Sequence, residues 1–149
     1  VNEERKRIRE KELSKLPRPT KFQILPGYVF RASKPAIVGI EVLAGVLKNH
    51  IMVMRSDGKE VGEVKELQIQ GQPVKEARKG AKLAVSIEGP TVGRQIKEGD
   101  ILYTSMSEGE YRKLLKFLDL LEEDEKEVLN EIVSIKRREK KTWGMLEVE

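Results

Sequence analysis

Few residues in this 149-residue chain have the type and spacing needed to make or break bonds. The single histidine, His50, follows Lys48-Asn49 in a turn-like run, where an exposed imidazole is a better account than a base or a metal ligand. Ser86 has no histidine beside it in sequence, so a nucleophilic triad would need geometry that nothing in the chain supplies. The acidic run Glu122, Glu123, Asp124, Glu125 precedes an apolar stripe, where helix capping explains it. Cysteine is absent, which excludes thiolate chemistry, disulfides and cysteine zinc sites. No G-x-x-x-x-G-K-S/T run occurs, so the loop that cradles nucleotide phosphates is missing. An enzyme is a poor reading, and no metal or cofactor is expected in this chain. Binding fares better. Lysine and arginine supply most phosphate contacts to nucleic acids, and these position rather than specify. The candidates are Arg31 and Lys34 at a strand break, Lys75, Arg78 and Lys79 before Gly80, and Arg94 and Lys97 in a Gly-rich loop. On composition alone, a solvated basic surface explains them as well. Aromatic residues make up only 5% of the chain, which argues against a general single-strand binder.

The distribution of charge is more informative than its total of +4. Residues 1–21 carry a net +4, residues 22–107 a net +3 and residues 108–149 a net −3. A basic first part and an acidic last part suggest different partners for the two. No apolar run is long enough to span a membrane, and the charged N-terminus has no signal-peptide pattern. Together with the missing cysteine, this fits a cytoplasmic protein.

The elements that must position these groups follow in order. Residues 1–16 read as a helix supported by a Glu3/Arg7 pair but with few apolar residues, so it is expected to bridge domains through solvent. Its polarity and the initial Val1 suggest the end of a longer linker. Pro17 and Pro19 stop it. Short strands are expected over residues 21–25, 28–31, 36–43, 51–55, 60–69, 81–87 and 101–103. Ser56-Asp57-Gly58-Lys59 reads as a hairpin turn, and 70–73, 79–80, 89–90 and 98–100 as further turns. Pro35 belongs at a bulge, edge or turn. Gly39 and Gly45 mark close backbone approach or turns. Many short strands without intervening helices argue for a closed barrel. After Met106 the apolar period changes to 3.6. Ser107-x-x-Glu110 is a capping box, with Tyr111, Leu114, Leu115, Leu118 and Leu121 following on one face. A second helix should run from the acidic cluster to Lys136-Arg137-Arg138, with a stripe of Val128, Leu129, Ile132 and Val133. The expected architecture is mainly β: a closed barrel over 21–106, preceded by a linker helix over 1–20 and followed by two α-helices over 107–149.

One pattern goes further. Val29, Phe30, Ser33, Lys34, Ile37, Gly39, Val42 and Gly45 resemble the opening of the last β-barrel of the subunit-joining translation initiation GTPase. This is factor two in bacteria and factor five-B in archaea and eukaryotes. Lys79-Gly80, Ile87-Glu88 and Glu98-Gly99-Asp100-Ile101 continue the likeness. The run from Glu127 to Arg137, then Trp143-Gly144-Met145, resembles the archaeal form. The resemblance covers nearly the whole chain and implies a translation-factor barrel, domain IV, without the GTPase core.

It also implies a function. The last barrel of that family holds the methionylated acceptor end of initiator tRNA on the ribosome. Carried over by motif, Gln68, Gln70 and Gly71 form one wall, Lys82, Leu83 and Ala84 another, with Ile40 nearby. Bacterial relatives have Glu-Cys-Gly at Lys82-Leu83-Ala84, and a small apolar floor there suits a methionine side chain. Arg31, Lys34, Lys79 and Arg94 would contact phosphates. For the C-terminal helices two readings stay open. Leu114, Leu118, Leu129, Ile132 and Trp143 either pack within the chain or form a groove that recruits initiation factor one-A.

Overall fold

In a computed structural model, residues 2–144 are described, without the side chains of Asn2, Glu3, Glu4 and Lys6. Val1, Met145 and the Glu3 half of the expected Glu3/Arg7 pair therefore lie outside the described residues.

Alternating apolar residues build a barrel. Strand β1 (Thr20–Arg31) is followed by β2 (Ala36–Lys48), β3 (Ile51–Arg55), β4 (Glu60–Ile69), β5 (Gln72–Val74), β6 (Glu76–Arg78), β7 (Lys82–Glu88) and β8 (Ile101–Thr104). The order β1-β8-β3-β4-β7-β2 closes when β2 pairs back onto β1, giving a six-strand antiparallel barrel. Phe22, Ile24, Ile40, Leu67, Ile87 and Leu102 fill its interior with no exposed surface. Strand β5 hangs on β4 and β6 on β2. Neither was expected, because Gln72-Pro73 reads as a turn. An edge strand tolerates Pro73 because only its carbonyl is needed in the ladder.

Two departures from the expected strands matter. Residues 21–25 and 28–31 form a single strand with a bulge, and β2 continues to Lys48. The β1–β2 register also shifts between Lys21 and Phe22, which pair with Ala44 and Val42. Gly45 has φ +85, and a Cβ there would stand 2.0 Å from the Pro19 carbonyl oxygen. Only glycine fits that conformation and that approach.

The helices form a second core on the barrel's outer wall. Helix α1 (Asn2–Leu13) ends three residues short of Leu16. It does not bridge through solvent. Leu13 is buried with Met54, Leu114, Leu129 and Trp143, and Arg9 donates to Asp119 at 2.6 and 2.8 Å and to the Lys116 carbonyl at 2.9 Å. Helix α2 (Glu108–Leu115) opens with the expected capping box: Glu110 N–H donates to Ser107 Oγ at 3.1 Å and Ser107 N–H to Glu110 Oε1 at 2.9 Å. It stops at Leu115 instead of running to Leu121, and a single 3₁₀ turn covers Leu118–Leu120. The helical face is thereby broken, leaving Leu118 36% exposed and Leu115 41% exposed. Helix α3 (Glu123–Glu139) has acids in its first turn and bases in its last, which suits the helix dipole.

Ion pairs and hydrogen bonds fasten the start of α3 to the barrel. Arg18 donates twice to Glu125 at 2.6 Å, Gly45 N–H donates to Asp124 at 2.8 Å, and Arg78 pairs with Glu122 at 2.8 Å. Among the described residues, no helix is long and apolar enough to cross a membrane.

Candidate nucleic-acid interface

The β1 bulge creates the site. Ile24 pairs with Ile40 and Val29 with Val38, so residues 25–28 stand opposite Gly39 alone. The surplus residues fold outward across β2. Gly27 supports this turn with φ +83 and donates its N–H to Glu98 Oε1 at 3.1 Å. Tyr28 lies directly over Gly39, where a Cβ would come within 2.7 Å of Tyr28 Cβ. Gly39 is therefore required by close approach, as its position in the sequence suggested.

Beneath the bulge is an open depression of about 380 Å³, lined by Leu25, Pro26, Tyr28, Phe30, Gly39, Lys82, Leu83 and Ala84. Tyr28 is 55% exposed and Phe30 64% exposed. Register brings the walls together: Ala84 of β7 pairs with Gly39 on one side and Gln68 on the other, so all three share the barrel's outer face. Lys82 faces Glu41 across the same strands. The β4–β5 hairpin turns at Gln70 and Gly71, both with positive φ, as a two-residue primed turn requires.

The expected residues fare unequally. Gln68, Lys82, Leu83 and Ala84 converge. Ile40 does not reach the surface: its side chain is fully buried in the barrel core, because alternation turns it opposite to Gly39. Leu83 points the same inward way and is 6% exposed, so Ala84 supplies the floor. Gln70 and Gly71 form the hairpin tip beside the depression and do not line it.

The cations separate. Arg31 follows Phe30 in β1, with its Nε donating to the Ser33 carbonyl at 2.9 Å, and Lys34 lines a separate cleft with Lys65 and Glu88. Lys34, at φ +58, precedes a cis bond to Pro35. Lys79 instead sits beside Glu122, Glu123 and Asp124 at the head of α3. Arg94 shares a cleft with Arg55, Asp57 and Lys97 at another barrel edge. In that cleft the hydrogen bond from Arg55 holds the Asp57 carboxyl down at about 2.

The proposed partner groove is also redistributed. Leu114, Leu129, Ile132 and Trp143 are buried against this chain's own second core. They pack inward because α2 and α3 bury their stripes on the barrel wall, and only Leu118 of that set faces out. His50 sits exposed at the β2–β3 turn with Nδ1 3.6 Å from Glu63. Glu122 caps α3, as the acidic run suggested. No group of acidic or histidine side chains among the described residues could hold a metal ion.

Sequence reasoning missed Leu25, Pro26, Tyr28 and Phe30 as lining residues. A signal was available: in 24–31 the aromatic residues at 28 and 30 share one parity, while Val29 between them carries the inward face. Pro26-Gly27 was the break that reversed the pattern.

Comparison with known proteins gives a consistent answer. Residues 18–103 match the family model described as elongation factor Tu domain 4. The probable translation initiation factor IF-2 of Methanopyrus kandleri is 56% identical over 141 residues, covering 93% of this chain and 23% of that protein. Its counterpart in Ignicoccus hospitalis is 49% identical over 149 residues, covering 98% of this chain and 24% of that protein. The crystal structure of GDP-bound aIF5B from Aeropyrum pernix superimposes with a TM-score of 0.87 at 48% identity, covering 93% of this chain and 23% of that one. The chain thus spans about a quarter of the length of the curated relatives it matches. It belongs to the elongation factor Tu domain 4 family, in the form found as domain IV of translation initiation factors of the IF-2/aIF5B group.

Proposed function

We propose that this domain holds the methionylated 3′ end of initiator tRNA while ribosomal subunits join in the cytoplasm. The observation that carries the reading is the depression under the β1 bulge: an apolar floor at Gly39 and Ala84 with Lys82 at its edge, and Arg31 next along β1 from the lining residue Phe30. Its size is that of a small-ligand site. A methionine side chain would fill the floor while the cations meet phosphates. The domain works by binding and positioning, with no bond chemistry and no cofactor of its own.

The test is a titration of the chain with methionyl-tRNA and with deacylated tRNA. The wild type should prefer the methionylated form. Ala84→Phe should overfill the floor and abolish the preference, while leaving salt-dependent binding in place. A folded Ala84→Phe variant that keeps the full preference refutes this pocket.

A second reading, recruitment of initiation factor one-A, is favoured by one observation, the exposure of Leu115 and Leu118 on the helical side. Leu118→Glu should then abolish factor one-A binding without changing the fold. Unchanged binding removes that reading.

A further inference from the structure

The loop over 89–100, between β7 and β8, makes only an isolated bridge, from Val92 to Ile96, yet it is tied down along its length. Ile96 is fully buried in the barrel core. Thr91 N–H donates to Gln95 Oε1 at 2.9 Å, Gly93 N–H to the Ile96 carbonyl at 2.6 Å, and Arg55 Nη1 to the Gln95 carbonyl at 3.2 Å. A loop of this length that packs through its own side chains is uncommon and is usually functional.

This one presents cations. Arg94 and Lys97 are exposed on it and line an open cleft of about 250 Å³ with Arg55, Ser56 and Gln95. The two carboxylates of the cleft are already engaged. Asp57 accepts from Arg55 and from the Lys59 N–H at 3.0 Å, and Asp100 accepts from the Lys97 N–H at 2.9 Å. Of the barrel's arginines, Arg31 bonds a carbonyl, and Arg55 and Arg78 bond carboxylates. The Arg94 guanidinium has no partner among the described residues. Its fork of donors matches a phosphate brought from outside.

The surroundings decide which phosphate. The cleft has no aromatic ring, so unpaired bases would find nothing to stack on. A protein partner would want an apolar anchor pocket, and lysine is depleted at such interfaces. Double-helical RNA asks for neither: it is held by shape, through phosphates and ribose hydroxyls. Ser56 and the Gln95 amide supply neutral donors for the hydroxyls. Between this cleft and the depression stands Glu98, exposed and bonded to the Gly27 N–H of the bulge. One phosphodiester strand running from cleft to depression would pass that carboxylate, a like charge.

We propose that Arg94 and Lys97 grip the phosphate backbone of an RNA helix separate from the RNA whose 3′ end enters the depression. The site stands on the β7–β8 loop alone and does not need the depression to be occupied.

A blunt RNA hairpin with no single-stranded 3′ end, followed by fluorescence anisotropy over a salt series, is the probe. The wild-type chain should bind it. Arg94→Ala and Lys97→Ala should each lower the log–log salt slope by about 0.9, and the double change by about twice that. Arg94→Glu should abolish binding. Both side chains are exposed and without carboxylate partners, so melting temperatures should match the wild type. An excess of single-stranded ACCA should leave the hairpin bound, and displacement by it would overturn the separateness of the site. A double variant that keeps the wild-type slope overturns the loop's role. Polyglutamate that competes as well as the hairpin at equal charge also overturns it and assigns the loop to an acidic protein. A wild type that binds methionyl-tRNA but not the hairpin refutes this site alone. One that binds the hairpin without preferring methionyl-tRNA refutes the methionine pocket and leaves this site standing.

Discussion

Among the described residues, Glu125 is the charged side chain that solvent does not reach. Its carboxylate accepts two hydrogen bonds from Arg18 at 2.6 Å and one from Glu122 N–H at 3.1 Å. The same contact raises the Arg18 pKa above its usual value, against the opposing effect of burial. Replacing Glu125 by alanine leaves a cation without its partner. Removing one member of a buried pair costs about 3–5 kcal/mol. Arg18 retains 15% exposure, so water recovers part of the loss and the lower end, about 3 kcal/mol, is expected. For a chain of this size, that lowers the melting temperature by about 6–12 °C. With a urea slope of about 1–3 kcal/mol per molar, the midpoint moves down by about 1–3 M. Trp143, buried beside Tyr111, provides the fluorescence readout. Arg18→Met combined with Glu125→Leu should recover most of the loss, because a well-packed apolar pair often equals a buried ion pair. A loss below about 1 kcal/mol for Glu125→Ala would refute the claim that this pair fastens the helices to the barrel. So would a double mutant as unstable as the two single changes added together.

Further outcomes follow from other contacts. Gly45→Ala should cost about 2 kcal/mol or more in chemical denaturation, because its Cβ meets backbone and its φ is left-handed. The Arg55 hydrogen bond lowers Asp57 from 3.8 to about 2, and hydrogen bonds from Arg9 and Lys140 lower Asp119 and Glu108. A depressed carboxylate favours the folded state above its unfolded pKa. Melting temperature should therefore be flat from neutral pH down to about 5 and fall between about 4 and 2, and a rise on acidification would contradict these contacts. Arg31→Ala and Lys34→Ala should each reduce the log–log salt slope of RNA binding by about 0.7. Lys79→Ala, beside an acidic helix start, should leave it unchanged, and the reverse result would move the phosphate path to α3.

The barrel was legible because it depends on alternation and turns. Ile51–Arg55 and Glu60–Ile69 emerge where the sequence pattern puts them, joined at Asp57-Gly58. The site was only partly legible. Ala84 and Gln68 meet as expected, but Ile40 is core, since alternation along β2 turns it to the opposite face from Gly39. The four-residue bulge at 25–28 has no period of its own and shows in the sequence only as the reversed parity after Pro26-Gly27. The dispersal of Lys79 and Arg94 was equally invisible, because strand order in a closed ring, not sequence distance, decides which loops become neighbours. Leu118 faced out for a local reason: α2 ends one turn early, and the 3₁₀ turn rotates the stripe off its face.

The ring's closure has a consequence for synthesis. Strand β8 pairs with β1 and β3, so the last strand made completes a joint with the first. A chain emerging N-terminus first holds β1 and β3 with bare edges, a state open to strand addition by neighbours. Lys21 waits for Tyr103, and contacts so distant along the chain form slowly. The outer wall waits longer still: Met54 and Ala44 stay uncovered until α3 arrives. A nascent chain halted after Thr104 is thus a barrel with one apolar flank exposed. Although the family match ends at residue 103, the outer core on the barrel wall is complete only when α3 and Trp143 are in place.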